Sequence, residues 1–214
     1  MLKPVLLKGI FACSLLLSCL WPKAQVPDQA ILHLRAPDTF KARFTTTKGA
    51  FVIEVYRNWS PLGADRLYQL IRSGFYNNSV LFRVQRNYVI QFGIANNPKV
   101  NRFWDTRKIS DEPAKFNNEK AVISFARDGA NNRATQLFIN MADNHKLDTI
   151  FRNGVKGYTP VARVIKGMEV VASFYDAYGR STLAHQDSVY LHGNQYFYQH
   201  FPGLDKIIVA TILE

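Results

Sequence analysis

The stretch that most narrows the fold is "FKARFTTTKGAFVIEVY", residues 40–56. Its side chains alternate in polarity along 40–47, pass a tight turn at Lys48-Gly49, and alternate back along 50–56. Alternation with period two puts one face of each strand towards a core, and so short a connection permits only antiparallel pairing. Further short strand patterns follow at 80–93 (two strands about a bend near Asn87), "AVISFA" (121–126), "TQLFINM" (135–141), "TPVARVI" (159–165) and "KIIVATIL" (206–213), the last able to return to the first hairpin. Only two helices interrupt them. Ser60-Pro61 offers an N-cap and first-turn proline ahead of Leu62, Leu67, Leu70 and Ile71, with Gly74 as the stop; Gly167 to Tyr178 carries Met168, Val171, Tyr175 and Tyr178 on one face. A polar loop is expected from Asn96 to Lys120 and a short aromatic helical turn within 193–202. No strand–helix–strand rhythm and no repeat is present. The expectation is a mainly β fold, a closed antiparallel eight-stranded barrel whose ends are covered by two α-helices.

The N-terminus stands apart from this pattern. Lys3 and Lys8 precede an apolar run from Gly9 to Leu20 without an acidic residue, too short for a comfortable membrane span and laid out like a secretory signal. Two cuts compete. "LLSC" before Leu20 has the form of a bacterial lipobox, which would make Cys19 a lipidated first residue; ordinary cleavage after Ala24 would begin the mature chain at Gln25. The domains expected are therefore a leader 1–24 (or 1–18), a linker 25–37, and one domain 38–214 with an extension around 180–205. The location that follows is outside the cytoplasm, periplasmic or anchored to a membrane through Cys19.

Either cut removes Cys13, so no disulfide is expected in the folded part. Cutting after Ala24 takes Lys3, Lys8 and Lys23 from the 27 basic residues and leaves 24 against 16 acidic ones, a net charge of +8. The cations are scattered with no run of five, which points to a solvated surface and away from nucleic acid. His33, His145, His185, His192 and His200 form neither HxxxH nor HExxH, and no G-x-S-x-G or P-loop occurs. No metal and no cofactor is expected, and the chain is expected to be a monomer.

One stretch asks for a function. In "VLFRVQRNYVIQFG" (80–93), Asn87 lies midway between Arg83 and Gln91, so a hairpin return would bring guanidinium and amide to one face beside Tyr88 and Val89. No acid, base or metal ligand accompanies them.

Three segments in register, "FRVQRNYVIQFG", "SFARDGANNRATQLFIN" and "NHKLD…GYTPVARVIKGMEVV", resemble the cyclophilin family of peptidyl-prolyl isomerases. Phe82-Arg83…Gln91 is similar to the family's Phe-His-Arg…Gln block without its His. Ser124…Ala126…Gly129…Asn131…Thr135-Gln136-Leu137-Phe138-Ile139 and Leu147-Asp148 match two further blocks, and the likeness spans roughly Phe40 to Gly179. The resemblance implies Arg83 as the catalytic donor and Gln91 as the clamp on the substrate carbonyl. It implies a proline pocket of Tyr88, Val89, Phe138, Leu147 and Tyr158, with Ala126, Arg127 and Gln136 along the peptide. Departures are concentrated beside the pocket: Arg86-Asn87 stands for Pro-Gly, Val89 for Met, Phe92-Gly93 for Gly-Gly, and Lys146 for a Trp. These would reshape the pocket and narrow turnover.

The implied reaction suits the residues. Amide resonance makes rotation about a peptide bond cost roughly 18–20 kcal/mol, and X-Pro is the common bond with both isomers populated. No bond breaks, so no nucleophile is needed; a donor aimed at the prolyl nitrogen acts most strongly in the twisted state. One charge-assisted hydrogen bond supplies roughly 1.5–3 kcal/mol, whereas a 10⁵-fold acceleration needs about 7 kcal/mol, so Arg83 cannot act alone. The implied partners are Pro-containing polypeptides. The alternative is a weak or inactive module of the same fold that binds Pro-containing peptides or partner proteins.

Overall fold

The structure, a computed structural model, describes residues 25–213; the leader and Cys19 lie outside the described residues. Strands β1 (Thr39–Thr46) and β2 (Gly49–Tyr56) form the expected hairpin, in register from Thr39 opposite Tyr56 to Thr46 opposite Gly49. Its inward positions, Phe40, Ala42, Phe44, Phe51, Ile53 and Val55, are all buried, and Phe44 stacks on Phe51 at 5.1 Å. Helix α1 (Pro61–Arg72) buries Leu67, Leu70 and Ile71 against that face, while Leu62 stays exposed. Ser60 does not cap it with its own side chain. Its hydroxyl donates to Glu112, and the Glu112 carboxylate accepts from Leu62 N (2.8 Å) and Gly63 N (3.2 Å), so a loop carboxylate occupies the positive end of the helix.

The remaining strands are β3 (Ser79–Val80), β4 (Arg83–Val84), β5 (Val89–Phe92), β6 (Val122–Phe125), β7 (Leu137–Asn140), a small hairpin β8 (Phe151–Arg152) and β9 (Val155–Lys156), β10 (Pro160–Lys166) and β11 (Lys206–Leu213). All but the small hairpin join one sheet in the order β3-β11-β1-β2-β10-β6-β7-β5-β4. The fold is mainly β as expected, but the closed eight-stranded barrel is not what forms: the sheet is a curled half-barrel of nine strands. Its two end strands, β3 and β4, belong to one run of chain divided at Leu81-Phe82. Leu81 N still donates to Asp205 O (2.9 Å), but the Phe82 carbonyl accepts from the Thr182 hydroxyl instead of a strand, and there the ladder stops.

The helices also differ from expectation. Within the polar loop 96–120 lies α2 (Pro98–Asp105), started by Asn97, whose side chain accepts from Lys99 N (3.0 Å), and anchored by buried Val100 and Trp104. Helix α3 (Lys146–Thr149) is a single turn. The helix expected over 167–178 is only α4 (Met168–Ala172), because Phe174 turns into the core and Tyr175 N is taken by the Asp205 carboxylate (2.8 Å). The extension holds a 3₁₀ turn (Ser181–His185), α5 (Gln186–His192) and α6 (Gln195–His200). Within the segment 25–37, a 3₁₀ turn at Gln29–His33 packs Ile31 and Leu32 on the core, and Gln69 Nε2 donates to the carbonyls of Leu32 (3.1 Å) and Leu34 (2.9 Å).

Of three buried apolar clusters among the described residues, two organise the fold. The larger fills the curl of the sheet beneath α1; the smaller, Val80, Phe82, Ile94, Val189 and Phe197, glues the helical extension to the outside of the β3–β4 run.

Candidate functional site

The turn at Arg86-Asn87 sets the register that the sequence symmetry predicts. Gln85 N donates to Val89 O (3.0 Å), Tyr88 N to Gln85 O (2.9 Å), and Arg83 lies opposite Gln91 in the β4–β5 pair. Strand β5 pairs antiparallel with β7, where Gln91 lies opposite Phe138. Arg83, Gln91 and Phe138 therefore stand in one row across three strands.

The polar atoms of that row are tied together. Arg83 Nε donates to Gln85 Oε1 (2.7 Å) and Nη1 to Gln91 Oε1 (3.1 Å), with the guanidinium 5.2 Å over the Tyr88 ring. Nη2 makes no hydrogen bond among the described residues. Burial in this half-exposed position is the main pressure lowering the Arg83 pKa; Arg180 adds to it, and the Tyr88 and Tyr158 hydroxyls oppose it. Gln91 is itself buried, and its Nε2 donates to Gln136 Oε1 (2.8 Å).

Beside the row lies a separate apolar cluster. Val89, Phe138 and Leu147 are buried together, with Tyr88, Ala126 and Tyr158 partly buried against them and the Phe138 and Tyr158 rings edge to face at 5.5 Å. Buried Asn118 and partly buried Asn144 and Asp148 hold it from behind. Asn144 Nδ2 donates to Tyr88 O (2.8 Å), and Asn118 Nδ2 donates to Tyr158 O (3.0 Å) and to Asp148 Oδ1 (2.8 Å). The Leu147-Asp148 pair thus places one residue in the cluster and the other in its support.

The structure brings nine of the expected residues to one cleft: Arg83, Gln91, Tyr88, Val89, Ala126, Gln136, Phe138, Leu147 and Tyr158. Arg127 lines the adjoining cavity with Gln91, Phe138 and Tyr158, but its donors are engaged elsewhere. It is buried over the Tyr158 ring (4.7 Å), and Nε, Nη1 and Nη2 donate to the carbonyls of Gly157 (3.1 Å), Arg152 (3.2 Å) and Val155 (3.0 Å). Its donors hold the β8–β9 hairpin beneath Tyr158. A polar cavity of about 250 Å³ continues the cleft past Gln136, between Asp105, Ala134 and the extension residues Leu183, Gln186 and Tyr190. Sequence reading missed Gln85, Gln186 and Tyr190. The equal facing of Arg83 and Gln85 was a signal for the first; nothing local marks the other two, which arrive through a contact about 50 residues distant in the chain. Among the described residues no group of three or more His, Cys, Asp or Glu side chains converges as a metal site would need.

Chemically, the cleft offers a cationic donor held by two amide oxygens, an oriented amide and an apolar cluster of Val89, Phe138 and Leu147. Comparison with known proteins identifies the family and the fold. The family described as cyclophilin type peptidyl-prolyl cis-trans isomerase matches residues 41–189, a span that ends inside α5. A peptidyl-prolyl cis-trans isomerase of Acinetobacter baylyi is 33% identical over 129 residues, covering 59% of this chain and 66% of that one, just under two thirds of its length. Peptidyl-prolyl cis-trans isomerase B of Escherichia coli is 33% identical over 156 residues, covering 67% of this chain and 89% of its own. Among solved structures, a cyclophilin-type isomerase of Cryptosporidium parvum shares the fold with a TM-score of 0.59 at 18% identity, covering 82% of this chain and 98% of that one. The same protein in the presence of the dipeptide Ala-Pro gives 0.58.

Proposed function

The chain belongs to the cyclophilin-type peptidyl-prolyl cis-trans isomerases, and from that membership we propose that its cleft catalyses rotation about X-Pro bonds of other polypeptides. The observation that carries the reading is the Arg83–Gln91–Phe138 row: donor, clamp and apolar seat on three adjacent strands. A proline ring seated on Phe138, Val89 and Leu147 brings its nitrogen towards Arg83. As the amide twists, resonance is lost, the nitrogen lone pair localises, and the Nη2 proton meets an acceptor that the planar ground state lacks. Gln91, held by Arg83 through its oxygen, keeps its amide hydrogens for Gln136 and a substrate carbonyl. Arg127 supports the Tyr158 wall and lines the adjoining cavity, with its donors on the carbonyls of the β8–β9 hairpin.

Arg83→Ala is expected to lower isomerisation of a Pro-containing peptide at least about tenfold, the loss of one charge-assisted contact, while the melting temperature holds. Exchange NMR reads turnover and binding together. Unchanged turnover would remove Arg83 from the mechanism, and binding without turnover in the natural protein would make it a peptide-binding module. The leader supports a second part of the proposal, that the clients are exported proteins and that the enzyme works outside the cytoplasm, with Cys19 or Gln25 as its first residue. Mass spectrometry of the mature N-terminus tests it; an intact residue 1 in cells of the source organism would sink it.

A further inference from the structure

The relay from Arg83 does not end at Gln136. Gln136 Nε2 donates to Gln186 Oε1 (2.9 Å) and to the Tyr190 hydroxyl (3.3 Å), both on α5. Four links therefore run in one direction: guanidinium to Gln91, Gln91 to Gln136, and Gln136 to the two extension residues. Each amide uses its oxygen on one side and its nitrogen on the other. Reversing either would set donor against donor. Burial raises the Tyr190 pKa, so its hydroxyl stays protonated well above neutrality and remains a neutral partner.

The extension also grips the row from the opposite face. The Thr182 hydroxyl donates to the carbonyl of Phe82, the residue before Arg83. Phe82 stacks on Phe197 at 6.1 Å, and the Arg180 charge is felt at Arg83. Backbone on one side and side-chain amide on the other are held by the same stretch of chain.

The geometry points to the extension 180–200 as part of the catalytic apparatus, with Gln186 and Tyr190 as positioning residues that hold Gln136 and, through it, the Gln91 clamp against Arg83. This rests on the isomerase reading, which it deepens. A bond chain that fixes a clamp acts on the rate of the bound substrate more than on its capture, since the apolar seat that binds proline is built from other residues.

The test compares Gln186→Ala, Gln186→Glu and Tyr190→Phe with the natural protein, using a Pro-containing peptide by exchange NMR. Gln186→Ala is expected to lower kcat roughly three- to tenfold with KM changed less than about twofold, the size of one lost positioning bond. Gln186→Glu keeps the acceptor for Gln136 but loses the donation from Gln186 Nε2 to Leu183 O (3.2 Å), so it recovers most of the loss if positioning is the role. If Glu is as impaired as Ala, the residue serves the extension's own structure and the proposal is overturned. Tyr190→Phe with unaltered kinetics removes Tyr190 from it. Side-chain amide hydrogen exchange of Gln91 and Gln136 in the same variants decides the matter even if the natural protein does not turn over: faster exchange in Gln186→Ala supports the relay, equal exchange refutes it, and the failed turnover counts against the isomerase reading alone.

Discussion

Arg83 keeps its charge half-buried with no ion pair among the described residues, its neighbours being the amide oxygens of Gln85 and Gln91 and the face of Tyr88. Neutral acceptors orient a guanidinium without neutralising it, which in the proposed mechanism leaves its field for the twisted substrate; a carboxylate there would hold both states alike. A different side chain contributes to the alkaline behaviour, beside the buried Tyr76 and Tyr190, whose pKa values burial also raises. Burial first, then the hydrogen bond and charge of Glu54, push the Tyr56 pKa up to about 12 from 10.0. The folded state thus holds this proton where the unfolded chain has released it. Its contribution is full below pH 10 and falls as pH rises towards 12. Urea midpoints measured across that window should drop more steeply for the natural protein than for Tyr56→Phe; parallel curves would show that the group does not couple to folding. At this scale the sequence was most informative where symmetry fixed geometry. Arg83 and Gln91, four residues either side of Asn87, were bound to face each other once the run folded back. Arg127 was opaque, because the carbonyls that occupy it come from a hairpin 25 to 30 residues away that carries no strong pattern.

Among the elements, the join between β5 and β7 is the tightest constraint on the cleft. Gly93, just past β5, has φ of +110°, and a Cβ there would stand 2.4 Å from Thr135 O and 2.7 Å from Gln136 Cα. Neither backbone atom can yield without displacing Gln136. Gly93→Ala should therefore cost about 2–4 kcal/mol, as a clash added to left-handed strain, and should lower activity even in the fraction that stays folded. Denaturant melts and turnover per folded molecule check it; loss of stability alone would mean that the cleft tolerates the shift. The strands were readable from alternation because each presents one face to a core. Helix α2 escaped notice since only two of its eight residues are large buried apolar ones and its flanks are polar. Helix α4 was overestimated because the periodicity of 168–178 continues beyond Ser173 while Asp205, from the far end of the chain, takes the Tyr175 amide.

For the whole molecule, the order of the sheet places β1 between β2, its neighbour in sequence, and β11, with Phe44 opposite Ala210. Pairing so distant makes folding slow relative to helical proteins of equal size. Refolding should accordingly regain isomerase activity in the same kinetic phase that protects β11 amides from exchange, and activity appearing earlier would refute the link. The reason is the run 79–84. One end pairs with β11 and the other carries Arg83 into β4, so the strand that seals the sheet and the strand that bears the donor are one piece of chain. During synthesis, which proceeds from the N-terminus, Arg83 emerges long before β11 and waits for it. On the proposed mechanism, a growing chain thus carries every group of the cleft before the strand that seals it arrives, and its nine prolines find their isomers without its own help.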